Sequence, residues 1–295
     1  MKMDCIVCGK QVFYTWTSIA GINIQRCRSC GVGITTPVPS AEELLEDNSE
    51  RYIAAEREKI YLPRIRYFQA RYHTYIKEIK KFKKAGALLD IGCNLGIFLL
   101  SAQKEGFTVT GVELNKSCAE YGRKRYGLNI HSDYLTKIDF PDETFDVITL
   151  YDVLEHVPDI KGMLADIRRK LKNDGLLVIQ SPNIDSVLAR LTKAKWSWLT
   201  PPDHLYHFNP SGLASLLISA GFRIEKSRTW EPAEDFCNNI TAAYLPRNIA
   251  GRAIQKLLRI SRICFIVVLF LQRIWWQRQQ GGLIQIYAIK DGRHD

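Results

Sequence analysis

The stretch LLDIGCNLGIF, residues 88–98, constrains this chain more than any other. A hydrophobic strand runs into Asp90, a turn carrying Gly92 and Gly96 follows, and a helix begins near Gly96. Glycine tolerates the left-handed backbone of such a turn and lets the chain pass close to a ligand. The helix start beyond it offers unpaired N–H groups. The next apolar run, FTVTGVE, closes on Glu113, 23 residues after Asp90. A carboxylate at the end of a second strand can accept both ribose hydroxyls of an adenosine-containing cofactor. It can also simply cap the helix that follows. The glycines do not fit the tighter G-x-G-x-x-G arrangement of an NAD-binding turn.

Beyond Ala87 the pattern repeats. The short apolar runs LLDIG, FTVTGVE, FDVITLY, GLLVIQS, FRIEKSRTW and LIQIYAI stand in order, and the earlier ones are separated by IFLLSAQKEG, SCAEYGRKRYG and IKGMLADIRRKLKNDG. Strand–helix alternation of this kind predicts a parallel sheet covered on both faces. With 46% hydrophobic and 24% charged residues in 295, disorder and a collagen-like chain are excluded. The start, MKMDCIVCGK, carries no apolar h-region and predicts no secretory signal.

Several motifs in this order resemble the class I S-adenosylmethionine-dependent methyltransferases over residues 86–290, in particular the quinone-biosynthetic and surface-polysaccharide enzymes. Asp90, Gly92 and Gly96 match the D-x-G-x-G-x-G loop, with Asn94 in place of the middle glycine. Asn is the residue after glycine that best tolerates φ > 0. The resemblance implies an α/β, Rossmann-like fold with a seven-stranded, mostly parallel sheet and an antiparallel last strand. It implies S-adenosylmethionine as cofactor, with Glu113 on the ribose, Leu114 over the adenine, and Asp133 and Tyr134 near the adenine amine. Tyr151 and Asp152, in FDVITLYDVLEHVPD, would face the methionine end.

The sulfonium methyl group is already activated, so the protein's task is to align the acceptor and exclude water. A hydroxyl acceptor also needs a base. The segment WLTPPDHLYHFNP supplies Asp203, His204 and His207, and His156 follows the fourth strand. Either His204 or His207 is the expected base, while His156 also suits a structural hydrogen bond.

Cys5-x-x-Cys8 and Cys27-x-x-Cys30, eighteen residues apart, have the spacing of a four-thiolate zinc ribbon. Each pair precedes a glycine, and a site with four thiolates is structural. Cys93, Cys118, Cys237 and Cys264 are expected to be ordinary buried or semi-buried thiols. The organisation predicted is a ribbon over 1–36, a helical linker over 37–84, and the catalytic domain over 85–295. Ser40 is the expected N-cap of the helix SAEELLEDN, and Tyr52–Lys84 reads as one long basic, aromatic-bearing helical stretch.

Residues 231–282 form an insertion between the last two strands. From Phe236 to Gln280 it has seven basic residues and no acidic one, with the apolar run Ile263–Leu271 followed by Trp275 and Trp276. Nine apolar residues fall short of the roughly 20 of a spanning helix. The insertion suits either an interfacial helix on an anionic membrane surface, through 247–280, or a helical cap packed on the domain or a dimer interface. The function expected is O-methylation of a small or lipid-linked acceptor, saccharide or quinone-like, at the cytoplasmic face of a membrane. The alternatives are an RNA methyltransferase gripping nucleic acid with the ribbon and basic helix, and a non-catalytic scaffold; the net charge of +10 points to an anionic partner without naming its kind.

Overall fold

The computed structural model describes residues 3–39, 54–232 and 262–291, with Glu43, Asn239, Ala243 and Tyr244 besides. The expected N-cap at Ser40, the expected thiol at Cys237 and residues 245–261 of the basic insertion lie outside the described residues.

Three strands open the chain: β1 (Phe13–Ile19), β2 (Ile22–Cys27) and β3 (Gly33–Thr36). Helices α1 (Ala54–Tyr61) and α2 (Ile65–Ile79) follow. A 3-10 turn, Leu62–Arg64, separates them where a single helix was expected. Pro63 accounts for the break, because it has no N–H and its ring crowds the preceding turn. Next come β4 (Gly86–Ile91), α3 (Ile97–Lys104), β5 (Phe107–Val112), α4 (Lys116–Tyr126) and β6 (Ile130–His131). They are followed by β7 (Phe145–Tyr151), α5 (Ile160–Lys170), β8 (Leu171–Pro182) and α6 (Val187–Thr192). The last described elements are β9 (Tyr206–His207), α7 (Pro210–Ser219), β10 (Phe222–Trp230), α8 (Arg262–Gln277) and β11 (Leu283–Lys290).

The larger sheet has the order β10-β11-β8-β7-β4-β5-β6. It is the seven-stranded, mostly parallel Rossmann-like sheet expected from the sequence. β4 pairs in parallel with β5, Leu88 opposite Val109, and with β7, Leu88 opposite Val147. Strands covered on both faces are apolar throughout, and Leu88, Leu89, Val147, Ile148 and Leu150 are fully buried. Helix ends are set locally. The side chain of Asn115 accepts from Cys118 N to start α4, and Gly127, at φ +66°, ends it. Asp159 caps α5 by accepting from Gly162 N.

β8 starts at Leu171, earlier than its apolar run. Its polar first residues are tolerated because the Lys172 ammonium meets the Asp146 carboxylate at 2.9 Å. Among the described residues no helix is long and apolar enough to cross a membrane.

The chain divides into two compact units. One comprises Met1–Pro39, Gln180–Leu216 and Lys226–Ile286; the other comprises Ser40–Ile179, Leu217–Glu225 and Tyr287–Asp295. These units interleave the sequence segments 1–36, 37–84 and 85–295. In the first unit a small sheet of order β1-β2-β3-β9 joins residues from both ends of that interleaving. Ile24 of β2 shares a core with Ile184, Leu188, Ala189, Trp196 and Leu199. In the second unit Leu95, Ile97 and Cys118 form a cluster covered by Ala54, Tyr61, Ile65, Tyr72 and Tyr121.

Candidate functional site

The carboxyl end of β4 and β5, in the second unit, gathers most of the predicted residues. Gly92 and Gly96 both take positive φ, +74° and +80°, and Asn94 joins them at +51°. The Asn94 substitution therefore occupies a left-handed position as its residue type allows. A Cβ on Gly92 would stand 2.4 Å from Val153 Cγ2, so sterics and backbone both require glycine there. The Asn94 side chain braces its own loop, its Oδ1 accepting from Leu95 N at 2.8 Å.

Glu113 ties this loop to the second strand. Its Oε2 accepts from Asn94 N at 2.8 Å and its Oε1 from Asn115 N at 2.9 Å. Glu113 thus both braces the next helix start and holds a fixed carboxylate at the strand end. Each carboxylate oxygen has a second lone pair, so two further donors can be accepted. Burial raises its pKa, against the two amides and the Arg57 charge, which lower it. Leu114, next in sequence, and Tyr134 are exposed, 39% and 37%. Asp133 Oδ1 accepts from Tyr134 N at 2.8 Å.

Asp90 lies beneath the loop, 4% exposed, and accepts a hydrogen bond from Thr149 Oγ1 at 2.6 Å. Burial, with the neighbouring Glu113 charge, pushes its pKa up to about 7, against the Thr149 bond. The folded chain therefore holds this proton more tightly than the unfolded one. That stabilisation is complete below about pH 4 and is lost as pH rises through about 7. In the ligand-free protein it amounts to at most about 4 kcal/mol. Asp90→Asn keeps the acceptor for Thr149 and should flatten this loss: between pH 5 and 8 the melting temperature of the variant falls less than that of the parent. Parallel curves would show that Asp90 is ionised throughout.

Tyr151 and Asp152 end β7 at the same edge, and Asp152 takes a positive φ, +59°. Tyr151 stacks on Tyr75 with centroids 4.9 Å apart and meets the Phe98 edge at 5.0 Å. The recurring aromatics before Lys84 have a place in this arrangement. They form a continuous wall, Tyr61 to Phe68 at 4.5 Å, Phe68 to Tyr72 at 6.2 Å, and Tyr72 to Phe98 at 5.5 Å. Arg71 Nε donates to Tyr75 Oη at 2.6 Å. Burial works against the Arg71 charge, but Tyr75 and Asp152 outweigh it. The spacing Phe68, Tyr72, Tyr75 on one helix face was the available signal. His156, half-buried, closes a short turn through its N–H to Val153 O at 3.0 Å.

Asp203, His204 and His207 belong to the first unit, and His207 joins the small sheet through β9. His207 pairs with Gly33 and is 3% exposed. Thr35 Oγ1 donates to the His204 carbonyl and lies 3.0 Å from His207 Nε2. A hydroxyl has one proton, so His207 Nε2–H is the donor to Thr35. That nitrogen is committed to holding the sheet. His204, 6% exposed, has its ring centroid 6.3 Å from that of His207.

The four ribbon cysteines converge. Their Sγ atoms all lie within 4.8 Å of one another, with Cys5 to Cys30 at 3.4 Å and Cys8 to Cys27 at 3.6 Å. A tetrahedron with Zn–S bonds of about 2.3 Å has edges of about 3.8 Å, so the donor set fits zinc. Gly9 and Gly31, at φ +69° and +77°, return their N–H groups to Cys5 O and Cys27 O, closing both knuckles. Cys93 and Cys118 are buried in the other unit.

The methyltransferase domain family matches residues 64–227, more than half of the chain. The ubiquinone biosynthesis O-methyltransferase of Pasteurella multocida (strain Pm70) is 33% identical over 111 residues, 32% of this chain and 46% of that protein. Its counterpart in Coxiella burnetii (strain Dugway 5J108-111) is 26% identical over 152 residues, 48% of this chain and 65% of that protein. The chain thus spans about half the length of the first of these relatives. Among solved structures, a SAM-dependent methyltransferase from Archaeoglobus fulgidus superposes with a TM-score of 0.53 at 21% identity, covering 85% of this chain and 100% of that one. A possible histamine N-methyltransferase from Thermotoga maritima gives 0.53 at 17%, covering 84% and 100%. At these identities the structures establish a shared fold.

Proposed function

The chain belongs to the methyltransferase domain family, and from that membership we propose that it moves the methyl group of S-adenosylmethionine to a hydroxyl of a small or lipid-linked acceptor. The observation that carries the cofactor assignment is the Glu113 carboxylate, fixed beside the glycine loop by Asn94 N and Asn115 N. Glu113 would take the ribose hydroxyls, Leu114 and Tyr134 the adenine faces, Asp133 the adenine amine, and Tyr151 with Asp152 the methionine end. Asp90, Gly92, Asn94 and Gly96 shape the loop that lets the cofactor approach. Calorimetry of the full chain with S-adenosylhomocysteine should show one site. Absence of binding would leave only the scaffold reading.

Once the methyl donor is bound, the transfer itself needs alignment, exclusion of water and removal of the acceptor proton. The names of the relatives favour oxygen as the methylated atom. For the base we assign His204 rather than His207, because His207 Nε2 is spent on Thr35. Asp203 and His156 are assigned to positioning. His204→Gln should lower turnover by about 10²-fold or more with cofactor affinity unchanged, read with labelled methyl donor on a fractionated lysate. Unchanged turnover would remove the assignment.

The four cysteines, Cys5, Cys8, Cys27 and Cys30, would hold a structural zinc ion, which supplies a cross-link and no chemistry to the reaction. An acceptor presented at a membrane is supported by apolar side chains left exposed in the first unit. Phe270 is 66% exposed, Tyr244 61% and Leu191 54%, with Lys193 and Lys195 exposed beside Leu191. Aromatic and basic side chains together suit an anionic bilayer surface. Co-sedimentation with anionic vesicles should fall on deleting 236–280; equal binding would remove the membrane assignment.

A further inference from the structure

The segment carrying His204 and His207 has little structure of its own. Its strand, β9, is two residues long, and two residues cannot hold a conformation without a partner. That partner is the ribbon. Gly33 pairs with His207 and Ile34 with Tyr206, and Thr35 N donates to Leu205 O at 2.9 Å. Thr35 Oγ1 adds its contacts with the His204 carbonyl and the His207 ring. A Cβ on Gly33 would stand 3.0 Å from His207 Cβ, so the two chains are closely apposed.

β3 in turn begins two residues after Gly31, the glycine of the second cysteine knuckle. Three side chains bind this knuckle to the far end of the same segment. Asn209, 5% exposed, donates through Nδ2 to Cys30 O at 3.1 Å and to Asp185 Oδ2 at 3.0 Å. Its Oδ1 accepts from Gly212 N at 2.8 Å and so caps α7. Arg26 completes the circuit, its Nε donating to Gly31 O at 2.8 Å and its guanidinium pairing with Asp185. The carbonyls of Cys30 and Gly31 are thereby both engaged by side chains that also bind Asp185.

We propose that Arg26, Asp185 and Asn209 are positioning residues that couple the metal-loaded cysteine knuckle to residues 204–208, so that zinc occupancy sets the order of the His204 loop. The proposal rests on the functional reading only in treating that loop as the acceptor side; the coupling itself is independent of catalysis. A conformation determined by a knuckle needs the knuckle's geometry fixed, and four thiolates around one ion do that. Without the ion, Cys27 and Cys30 lose the constraint that fixes the turn leading into β3.

Amide hydrogen exchange on the full chain tests this in three samples: zinc-loaded, chelator-stripped, and zinc-loaded Asp185→Asn. Bound zinc is measured in each, and S-adenosylhomocysteine affinity is measured separately. Stripping should speed exchange at 205–208 by about tenfold or more, with 88–91 and 145–151 unchanged within about twofold. Asp185→Asn should retain one zinc per chain and still speed exchange at 205–208. Equal protection at 205–208 with and without zinc would overturn the coupling. So would Asp185→Asn matching the parent there, or loosening β1 and β2 equally. A parent protein that holds no zinc would overturn both the metal assignment and the coupling, while leaving the cofactor assignment to its own measurement.

Discussion

Replacing Glu113 by alanine is expected to weaken S-adenosylhomocysteine binding about 100-fold or more. The two hydroxyls of a ribose would donate to the one carboxylate, and hydrogen bonds to a charged acceptor contribute about 1.5–3 kcal/mol each. Losing both is about 3 kcal/mol at the low end, which is roughly a factor of 100 in affinity. Alanine also releases Asn94 N and Asn115 N, the amides Glu113 now holds at 2.8 and 2.9 Å, so the loop loses its brace as well. Glu113→Gln separates these contributions. Its carbonyl oxygen can retain one amide, but its NH₂ group faces donors where acceptors are needed. We expect an intermediate loss, about tenfold, with a melting temperature close to that of the parent. Full affinity in Glu113→Ala, in a protein that melts normally, would place the nucleoside elsewhere and remove the ground for the proposed chemistry.

That site was legible because its elements are local. The turn after Asp90 spans a few residues, each with a conformational reason for its type, and the acid follows one strand–helix–strand unit later. The structure gives those residues the backbone the sequence implied, with Gly92, Asn94 and Gly96 all at positive φ. The strands of the large sheet were legible for the same reason, since an apolar run bounded by turns needs no distant information. Two features were not. Lys172, Asn173 and Asp174 look like a turn, and it is distant partners, Asp146 for Lys172 and Lys83 for Asp174, that accompany the extended backbone there. His207 looked like a base in a polar loop, yet its imidazole meets Thr35, 172 residues away in sequence. No periodicity can be read from a two-residue strand, so a pairing of that kind emerges only from the assembled register. The aromatic wall fell between these cases: its spacing was visible, but not what it would face.

Removal of zinc is expected to have the largest effect on stability. The small sheet is short of apolar mass: Ile24, Val32 and Ile34 are the buried aliphatic side chains near the knuckles. Sheets of this size depend on a cross-link, and zinc held by four thiolates supplies apparent free energies on the order of 10 kcal/mol. Some of that is already matched here by the core that Ile24 shares with Ile184, Leu188 and Trp196. The chain should therefore lose less than an isolated ribbon would, but still melt on the order of 10 °C lower after stripping. The metal content should be one zinc per chain, and stripping should expose four further thiols to a thiol reagent. Cys27→Ser should abolish tight zinc binding, since loss of one of four thiolates leaves an incomplete tetrahedron. Cys93→Ser and Cys118→Ser, in the other unit, should leave zinc content unchanged. A stripped protein with the parent's melting curve would mean that the four sulfurs, though within 4.8 Å of one another, cross-link nothing the fold requires. The small sheet would then be held by its own strand pairing, the Ile24 core and the hydrogen bonds of Arg26, Thr35, Asp185 and Asn209.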